Sequence, residues 1–545
     1  MTHDIAILGG GLAGLSLALQ LRQAHPAMRI VVLERRVGEA PEAAFKVGES
    51  TVEIGAAYFA NTLGLRTHLD QDQIVKFGFR FFFSEGRSDI DGCDELGASR
   101  SLPTGAWQID RGRFENFLAR RALEHGIDVL AGAAAKKVDL AQDEAAHVVH
   151  FVRDGAAQSL SARWVVDAAG RAGLLKRQLG LAQPNAHNAN AVWWRHAVRL
   201  VPDEWSQDPA WRARCTPPER WRSTNHYVGD GYWVWLIPLA SGSHSVGIVC
   251  DAQTHPLATM KTFELAMQWM HAHQPGIAER LEPLRDTLQD FAFFRDFSYG
   301  CRQVFSPQRF ALTGEAGLFL DPFYSPGSDF IAISNTYIAT LIGKDLAGEH
   351  WQPYAAVYEQ LYFSFYESTL AMYQDQYHLF GDATVMPLKV IWDYTYYWGV
   401  LAALFFAGRI ADLITMSRLR RELAQARALN LAMQSLLGDW GRANAARETA
   451  GPARFLDQAK IPWFAELNRA LQDTHDDVSF RATLRANLQR LCELARELRA
   501  IAKAACAGLD TSAFDALLPA TATSGEPLLG AQWHGAVSPT LPNVA

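Results

Sequence analysis

The chain has 545 residues, of which 49% are hydrophobic and 20% are charged, proportions that are typical of folded globular proteins and not of disordered ones. Its 51 basic and 58 acidic residues give a net charge of -7, which argues against a nucleic-acid partner because such binding needs a basic surface. The length predicts one large folded unit with an added segment.

Cysteine spacing and the first residues bear on the compartment. The six cysteines are far apart in the sequence and include no C-x-x-C pair: Cys93, Cys215, Cys250, Cys301, Cys492 and Cys506. This spacing predicts reduced structural thiols and no metal site. The first four residues lead directly into an apolar stretch, without the basic and apolar regions of a secretory signal. We therefore predict a cytoplasmic protein.

A glycine-rich turn follows the first apolar stretch. Gly9, Gly11 and Gly14 fit the pattern G-x-G-x-x-G between a predicted strand and a predicted helix, and the next predicted strand ends at Glu34. Small residues let the backbone approach a pyrophosphate, whose charge the free amides of the helix N-terminus stabilise. The pattern predicts a dinucleotide site in which Glu34 accepts hydrogen bonds from ribose hydroxyls.

The segments after this unit favour FAD over NAD, because no second helix-strand alternation completes a compact nicotinamide domain. Residues 75–83 alternate and are rich in Phe, which predicts one strand with Lys76 and Arg80 on the same face. Residues 191–200 and 225–251 alternate as strands of a second sheet. The flavin is expected to lie between the two sheets.

Two longer motifs lie in the middle of the chain. Residues 233–238 read Trp-Val-Trp-Leu-Ile-Pro and fit W-x-W-x-I-P, and residues 319–327 read Phe-Leu-Asp-Pro-Phe-Tyr-Ser-Pro-Gly and fit F-x-x-P-x-x-S-x-G. Together with the glycine-rich turn, these motifs resemble those of the flavin-dependent halogenases. The resemblance covers residues 1 to about 400 at the level of motifs.

The resemblance implies an α/β fold class: a Rossmann-type FAD-binding domain with a substrate-covering β-sheet and a helical C-terminal region, like that of flavin monooxygenases. We assign residues 1–185 and 300–345 to the FAD-binding domain, 186–299 to the covering sheet, and 346–518 to the helical region. Residues 519–545, with Thr, Ser, Pro and Gly throughout, are expected to form a loose tail.

The resemblance also implies a reaction. In such enzymes FADH2 and oxygen convert chloride or bromide into hypohalous acid, which travels through an internal tunnel to an electron-rich aromatic substrate. A lysine at the far end of the tunnel carries or hydrogen-bonds the halogen, and Lys76 follows Gly48-Glu49-Ser50 at the matching place. Desolvation in a dry pocket would lower the pKa of this lysine. The alternative is a strand lysine that faces water.

Further roles follow from the same resemblance. Glu49 is a candidate to orient Lys76 or the halide-side loop, or else caps a helix. Trp233, Trp235 and Pro238 are expected to separate substrate from flavin, with core packing as the alternative. The halide candidates are Ser325, Pro326 and Gly327. The predicted cofactor contacts are Gly9, Gly11, Gly14, Glu34, Arg111, Asp167, Gly314, Glu315, Pro322 and Gly327.

One departure bears on the substrate. Tryptophan halogenases have Glu immediately before the motif serine, whereas this chain has Tyr324, which disfavours free tryptophan and favours the phenol or pyrrole branch. The aromatic run 394–408 is shorter than the ~20 residues that span a bilayer, so it predicts a buried helix or the wall of a lipophilic substrate site. An aryl polyene, an alkylphenol and a substrate on an acyl carrier protein all stay open, as does surface contact with a membrane.

The same pattern leaves partners and two other functions open. A partner flavin reductase is expected because no separate nicotinamide site is evident, and oligomer formation is undecided. The first alternative function is a flavin-dependent monooxygenase or reductase, which needs neither halide nor Lys76. The second is a non-catalytic flavoprotein that binds a pigment intermediate.

Overall fold

A computed structural model of the protein describes residues 2–42, 46–142, 145–444, 452–518, 527–530 and 533. Strands and helices alternate in the first part of the chain, whereas helices predominate after residue 326. The strands are β1 (Thr2–Leu8), β2 (Ile30–Glu34), β3 (Ile74–Val75), β4 (Phe79–Phe83), β5 (Asp94–Gly97), β6 (Trp107–Gln108), β7 (Asp128–Ala131), β8 (Ala134–Asp139), β9 (His147–Arg153), β10 (Ala156–Asp167), β11 (Ala182–Gln183), β12 (Ala189–His196), β13 (Thr224–Gly229), β14 (Tyr232–Pro238), β15 (His244–Asp251), β16 (Leu288–Phe294), β17 (Gly300–Cys301), β18 (Phe310–Leu312) and β19 (Phe455–Asp457).

The α-helices are α1 (Leu12–Ala24), α2 (Glu53–Ala57), α3 (Arg66–Asp72), α4 (Arg111–Glu124), α5 (Leu174–Gln178), α6 (Pro209–Arg212), α7 (Phe263–His273), α8 (Pro275–Leu281), α9 (Gly327–Leu346), α10 (Gln352–Leu370), α11 (Val385–Tyr396), α12 (Ala403–Phe406), α13 (Leu413–Arg418), α14 (Arg420–Ala443), α15 (Pro462–Arg469), α16 (Asp477–Ala505) and α17 (Ala513–Leu517). None of these described helices combines the length and the apolar character that crossing a bilayer requires.

The first sheet carries the glycine-rich turn. Its strands follow the order β7-β2-β1-β10-β9-β8, with β18 paired to β10. Strand β1 is parallel to both β2 and β10, and its residues 5–8 are buried and apolar, as expected of a strand covered on both faces. The register pairs Leu8 with Asp167, so the ends of β1 and β10 meet at one edge. The predicted β-α-β unit is confirmed.

The second sheet covers this edge. Its order is β16-β12-β15-β14-β13-β4-β5-β19, and the pairs are antiparallel except β13 with β4 and β5 with β19. Two of its strands, β4 and β5, come from the segment assigned to the FAD-binding domain, and β19 comes from the region predicted to be helical. The predicted domain boundaries miss these strands because pairing between distant segments leaves no local sequence pattern.

The single strand predicted over residues 75–83 is wrong. Strand β3 pairs with β6, and β4 joins the second sheet. Between them Gly78 has φ +105°, a conformation that glycine adopts easily. Lys76 lies between the two strands and binds Ser50, whereas Arg80 lies in β4 and pairs with Glu95. The two side chains therefore do not share a strand face.

The aromatic run 394–408 forms a helical segment. Helix α11 continues through a π-helical turn, Tyr397–Ala402, into α12. Trp398 is fully buried in it. This supports the prediction of a buried helix.

The predicted loose tail is described only in part. Residues 519–526, 531–532 and 534–545 lie outside the described residues. Leu529 and Trp533 are buried in the core, and the indole N–H of Trp463 donates to the carbonyl oxygen of Leu528 at 2.8 Å. For residues 527–530 and 533 the prediction of a loose tail is therefore wrong.

Candidate active site

A cavity of about 760 Å³ lies between the two sheets, a volume within the range of cofactor sites. It extends from Gly9 at the end of β1 to Ser328 in the first turn of α9. We call it the larger cavity. Its walls include the glycine-rich turn, residues 46–51 and β14, so it lies between the sheets, where the sequence predicted the flavin.

The glycine-rich turn closes one end of the larger cavity. Gly9 has φ +118°, and a Cβ there would lie 2.4 Å from the carbonyl oxygen of Ala168. Gly11 lines the cavity as the N-cap of α1 and leaves the first amides without a side-chain cap, an arrangement that binds anions. Gly14 lies behind the turn, where a Cβ would be 2.0 Å from the Gly9 oxygen.

Glu34 is at the cavity, as predicted for the ribose end. Its Oε2 accepts a hydrogen bond from the amide of Gly10 at 2.8 Å, and its Oε1 accepts one from Arg36 at 2.7 Å. Two backbone donors thus orient the carboxylate before any ligand is bound.

Asp167 supports the cavity without lining it. Its buried carboxylate accepts hydrogen bonds from the amides of Ala169 at 3.0 Å and Leu175 at 2.7 Å, although burial raises its pKa. Gly314 and Glu315 do line the cavity, and Glu315 pairs with Arg171 at 3.0 Å. Asp167 therefore shapes the turn that faces the cofactor site.

Arg111 and Glu49 lie on another wall. Arg111 Nη1 donates to the carbonyl oxygen of Val47 at 2.7 Å, and its side chain also pairs with Glu115. The Glu49 carboxylate accepts from Arg195 Nε at 2.8 Å. Its ionic partner is therefore Arg195, and among the described residues it makes no hydrogen bond to Lys76 or to the halide-side loop.

Lys76 is buried, with 5% of its surface exposed, so the alternative of a strand lysine facing water is wrong. Its Nζ donates to Ser50 Oγ at 2.9 Å and to the carbonyl oxygen of Thr51 at 3.0 Å. The Nζ also lies 3.4 Å from the centre of the Phe79 ring. Burial lowers the pKa of Lys76 to about 7, against the opposing effect of Glu53 and Asp329, so a neutral amine is populated near neutral pH.

The halide-side loop ends at α9. Pro322, Ser325, Pro326 and Gly327 all line the larger cavity. Ser325 has φ +55°, and its amide donates to the carbonyl oxygen of Pro322 at 2.9 Å. Helix α9 begins at Gly327 with no side-chain cap. Its first amides therefore form an anion-binding N-terminus at the cavity.

Trp233 and Trp235 both line the larger cavity from β14, whereas Pro238, at the end of that strand, does not. Their ring centroids lie 5.7 Å apart. Trp233 Nε1 donates to the hydroxyl of Tyr377 at 3.2 Å, which in turn donates to Asp321 at 2.5 Å. This chain of hydrogen bonds holds the Trp233 ring in place.

Sequence reasoning missed Asp321. It occupies an unspecified position of F-x-x-P-x-x-S-x-G, lines the larger cavity and is buried. His187 Nε2 lies 2.6 Å from its Oδ2. Its position next to Pro322 was the only signal for it, and nothing in the sequence linked it to His187.

A second cavity, of about 50 Å³, lies beyond Phe79. We call it the tyrosine cavity, because its lining includes Tyr324, Tyr373, Tyr394, Tyr396 and Tyr397. Ser50 and Thr51, which bind Lys76, line the larger cavity, and Phe79, on which Lys76 lies, lines the tyrosine cavity. The lysine therefore lies where the two cavities approach each other.

The tyrosine cavity also has a buried ion pair at its wall that sequence reasoning missed. Lys389 Nζ donates to Asp393 Oδ2 at 2.8 Å and to Gln434 Oε1 at 2.6 Å. The Tyr324 hydroxyl donates to the same Asp393 oxygen at 2.9 Å. Tyr324, which occupies the position of Glu in tryptophan halogenases, therefore donates a hydrogen bond to the carboxylate of Asp393.

The larger cavity fits FAD. A Cβ at Gly9 or Gly14 would collide with the backbone of Ala168 or Gly9, so glycine at both positions permits the tight turn at the cavity, and uncapped helix N-termini stand at both ends of the cavity. Glu34 offers the acceptor that a ribose requires. The glycine-rich turn, Glu34 and the start of α9 are the groups that would hold FAD here.

Comparisons with known proteins agree with this geometry. The family model described as tryptophan halogenase matches residues 95–380, just over half of the chain. A flavin-dependent halogenase of Dictyostelium discoideum is 25% identical over 431 residues, which cover 73% of this chain and 70% of that protein. A brominase of pyrrole-2-carbonyl-[peptidyl-carrier protein] from Pseudoalteromonas luteoviolacea is 24% identical over 360 residues, 64% of this chain and 80% of that protein.

A solved structure shares the fold. The crystal structure of the halogenase PltM superposes with a TM-score of 0.62 at 18% identity, covering 90% of this chain and 99% of that chain. The fold class expected from the sequence is confirmed. With the family match to more than half of the chain, the protein belongs to the tryptophan halogenase family and is an FAD-dependent halogenase, an oxidoreductase that uses a halide.

Proposed function

We propose that the protein chlorinates or brominates a phenolic ring and that Lys76 carries the halogen from the larger cavity to the tyrosine cavity. The observation that supports this most directly is the burial of Lys76 between the two cavities, with its Nζ held by Ser50 and Thr51. An amine held by neutral acceptors in a dry site loses its proton more easily than one in water.

FAD would be held by the glycine-rich turn and Glu34 at one end and by the loop from Pro322 to Gly327 at the other. Reduced FAD supplies, with oxygen, the oxidising power that turns a halide into hypohalous acid. The amides at the start of α9 and the Ser325 turn are the groups proposed to hold the halide beside the flavin. Trp233 and Trp235 keep the organic ring on the far side of this site.

At Lys76 the chemistry is a transfer to nitrogen. The neutral amine attacks the halogen of hypohalous acid, the nitrogen–halogen bond forms, the oxygen–halogen bond breaks, and the released hydroxide leaves as water with one amine proton. The aromatic ring then takes the halogen from nitrogen and loses its ring proton, which restores the amine. Because the ring is attacked as an electron donor, phenols and pyrroles are the substrates that suit this step.

The substrate ring is placed in the tyrosine cavity. A cavity that accepts benzene has a volume of roughly 150 Å³, whereas this one is about 50 Å³, so substrate entry requires movement of its lining side chains. Tyr324 in place of the acidic residue argues against free tryptophan.

Partners follow from the same reasoning. We propose a flavin reductase as the source of reduced FAD and a cytoplasmic location. The Pseudoalteromonas relative acts on a pyrrole bound to a peptidyl-carrier protein. A carrier-bound aromatic acid is therefore included in the substrate test.

The test is mass spectrometry of products from free phenols, alkylphenols and carrier-bound aromatic acids. Each is incubated with the protein, FAD, a flavin reductase, NADH, oxygen and either chloride or bromide. We expect a halogen isotope pattern with the wild type, no halogenated product with Lys76→Ala, and none with Lys76→Arg, whose guanidinium stays protonated. Flavin binding, followed by fluorescence, should be unchanged in both variants.

Other outcomes would replace the proposal. Addition of oxygen without halogen would make the protein a monooxygenase in practice. Halogenation that survives Lys76→Ala would remove the lysine from the reaction.

A further inference from the structure

Two buried carboxyl groups face Lys76 from two helix starts. Glu53 is the first residue of α2, and Asp329 is in the first turn of α9. The helices touch at a glycine, because a Cβ on Gly55 would lie 2.2 Å from Ser328 Oγ. Thr51, whose carbonyl accepts from Lys76, lies two residues before Glu53. This packing brings the lysine and both carboxyls into one buried cluster.

Asp329 is 2% exposed. Its Oδ1 accepts from the amide of Gly55 at 2.8 Å, and its Oδ2 accepts from the hydroxyl of Tyr397 at 2.7 Å. These donors favour the ionised carboxylate, whereas burial favours the acid and raises its pKa to about 8. The burial effect is the larger of the two.

Glu53 is less well satisfied. Its Oε1 has a long hydrogen bond of 3.4 Å from Asn468, and its Oε2 is buried without a hydrogen-bond partner among the described residues. Burial raises the pKa of this carboxyl, against the opposing effect of the Trp398 indole N–H, which approaches it without forming a well-aligned hydrogen bond. A buried carboxylate with so few donors is costly, so it gains from a proton or from a nearby cation.

The other titratable groups around Lys76 stay neutral near neutral pH. His226 faces it from β13, and burial lowers its pKa to about 3. Tyr394 and Tyr397 face the cluster from α11 and the π-helical turn, and burial raises the pKa of both hydroxyls. Glu53 and Asp329 are therefore the neighbouring groups whose charge acts on the lysine.

We infer that Glu53 and Asp329 are positioning residues that set the pH at which Lys76 releases its proton and becomes able to accept halogen. As carboxylates they favour the ammonium, and protonation of either carboxyl makes it easier for Lys76 to release a proton and become the neutral amine. The inference rests on the proposed role of Lys76.

The first experiment measures the pH dependence of the halogenation rate at saturating substrate in the wild type, Asp329→Asn and Glu53→Gln. Each carboxylate raises the pKa of Lys76. Removing a carboxylate should therefore shift the lysine limb, the part of the pH–rate profile in which the rate rises as Lys76 loses its proton, to lower pH. We expect about one pH unit, the coupling typical of interacting buried groups, and a larger shift in the double variant. An unchanged limb in both folded variants, or a shift to higher pH, would overturn the inference.

The matched control is Asp393→Asn. It removes a buried carboxyl from the same tyrosine cavity, but one whose cationic partner is Lys389. The lysine limb of the Asp393→Asn profile should lie at the same pH as in the wild type, even if the maximal rate changes. A shift equal to that of Asp329→Asn would mean that any change at this cavity moves the limb.

A second experiment needs neither flavin nor halide. Infrared spectra of the protein should contain the carbonyl band of protonated carboxyls at neutral pH, and Asp329→Asn should remove the component that titrates near pH 8. Because Lys76 lowers the pKa of Asp329, Lys76→Met should keep the band to higher pH. A band that titrates identically in Lys76→Met would refute the coupling. Tyr397→Phe removes one hydrogen-bond donor to the Asp329 carboxylate and should also move the titration of the band to higher pH. This variant replaces Asp329→Asn in the test if Asp329→Asn does not fold.

The two experiments separate two failures. If the wild type makes no halogenated product, the proposed function fails while the infrared titration still tests the cluster. If halogenation depends on Lys76 but neither readout responds to the carboxyls, the function stands and this inference fails.

Discussion

Lys76 and Lys389 are both buried near the tyrosine cavity, but their surroundings differ. Lys389 forms an ion pair with Asp393 at 2.8 Å and also donates to Gln434 at 2.6 Å. Lys76 binds a hydroxyl and a carbonyl, and among the described residues it has no carboxylate within ion-pair distance. Burial lowers the pKa of both lysines, but at Lys389 the hydrogen-bonded Asp393 carboxylate opposes this effect directly, whereas the hydrogen-bond partners of Lys76 are neutral. The comparison separates a structural lysine from a reactive one.

The largest expected effect is on activity at Lys76. In Lys76→Met the halogenation rate should fall by at least about 100-fold, the lower end of effects at residues that act chemically. The urea midpoint should not decrease, because a buried, poorly compensated amine is replaced by an apolar side chain of similar length. Rates from product analysis and midpoints from fluorescence would check both. A strongly destabilised Lys76→Met would contradict the contrast with Lys389.

Lys389→Met should show the opposite pattern. It leaves the Asp393 carboxylate buried and unpaired, which costs about 3–5 kcal/mol in the free energy of unfolding. Urea unfolding measures this, and the double variant Lys389→Met/Asp393→Leu should recover most of the loss because neither charge remains. Equal stability of Lys389→Met and the wild type would show that the pair has no structural role.

The smallest effect is expected at Tyr324, whose hydroxyl donates to Asp393 at 2.9 Å. Tyr324→Phe removes a hydrogen bond to a charged group, worth about 1.5–3 kcal/mol. Unfolding free energy should fall within that range, and substrate KM should change more than the rate at saturation. A loss of rate as large as in Lys76→Met would place Tyr324 in the chemistry.

Local patterns were reliable where the backbone itself forms the site. The glycine-rich turn, the carboxylate of Glu34 and the loop before Gly327 were all recognisable in the sequence, because close approach of backbone to a ligand requires glycine at fixed spacing. Lys76 was identified through the resemblance to the flavin-dependent halogenases, from its place after Gly48-Glu49-Ser50. Its burial was not readable from the strand pattern, since the bend at Gly78 interrupts that strand.

The amino-acid sequence by itself determined the dinucleotide unit, the family resemblance and the identity of the candidate lysine. Only the tertiary structure paired Glu49 with Arg195, joined β19 to the covering sheet and brought Glu53 and Asp329 to Lys76. The physical reason is distance along the chain. Turn chemistry is set by neighbouring residues, whereas a buried charge depends on partners tens or hundreds of residues away, whose approach is decided when helices and sheets pack.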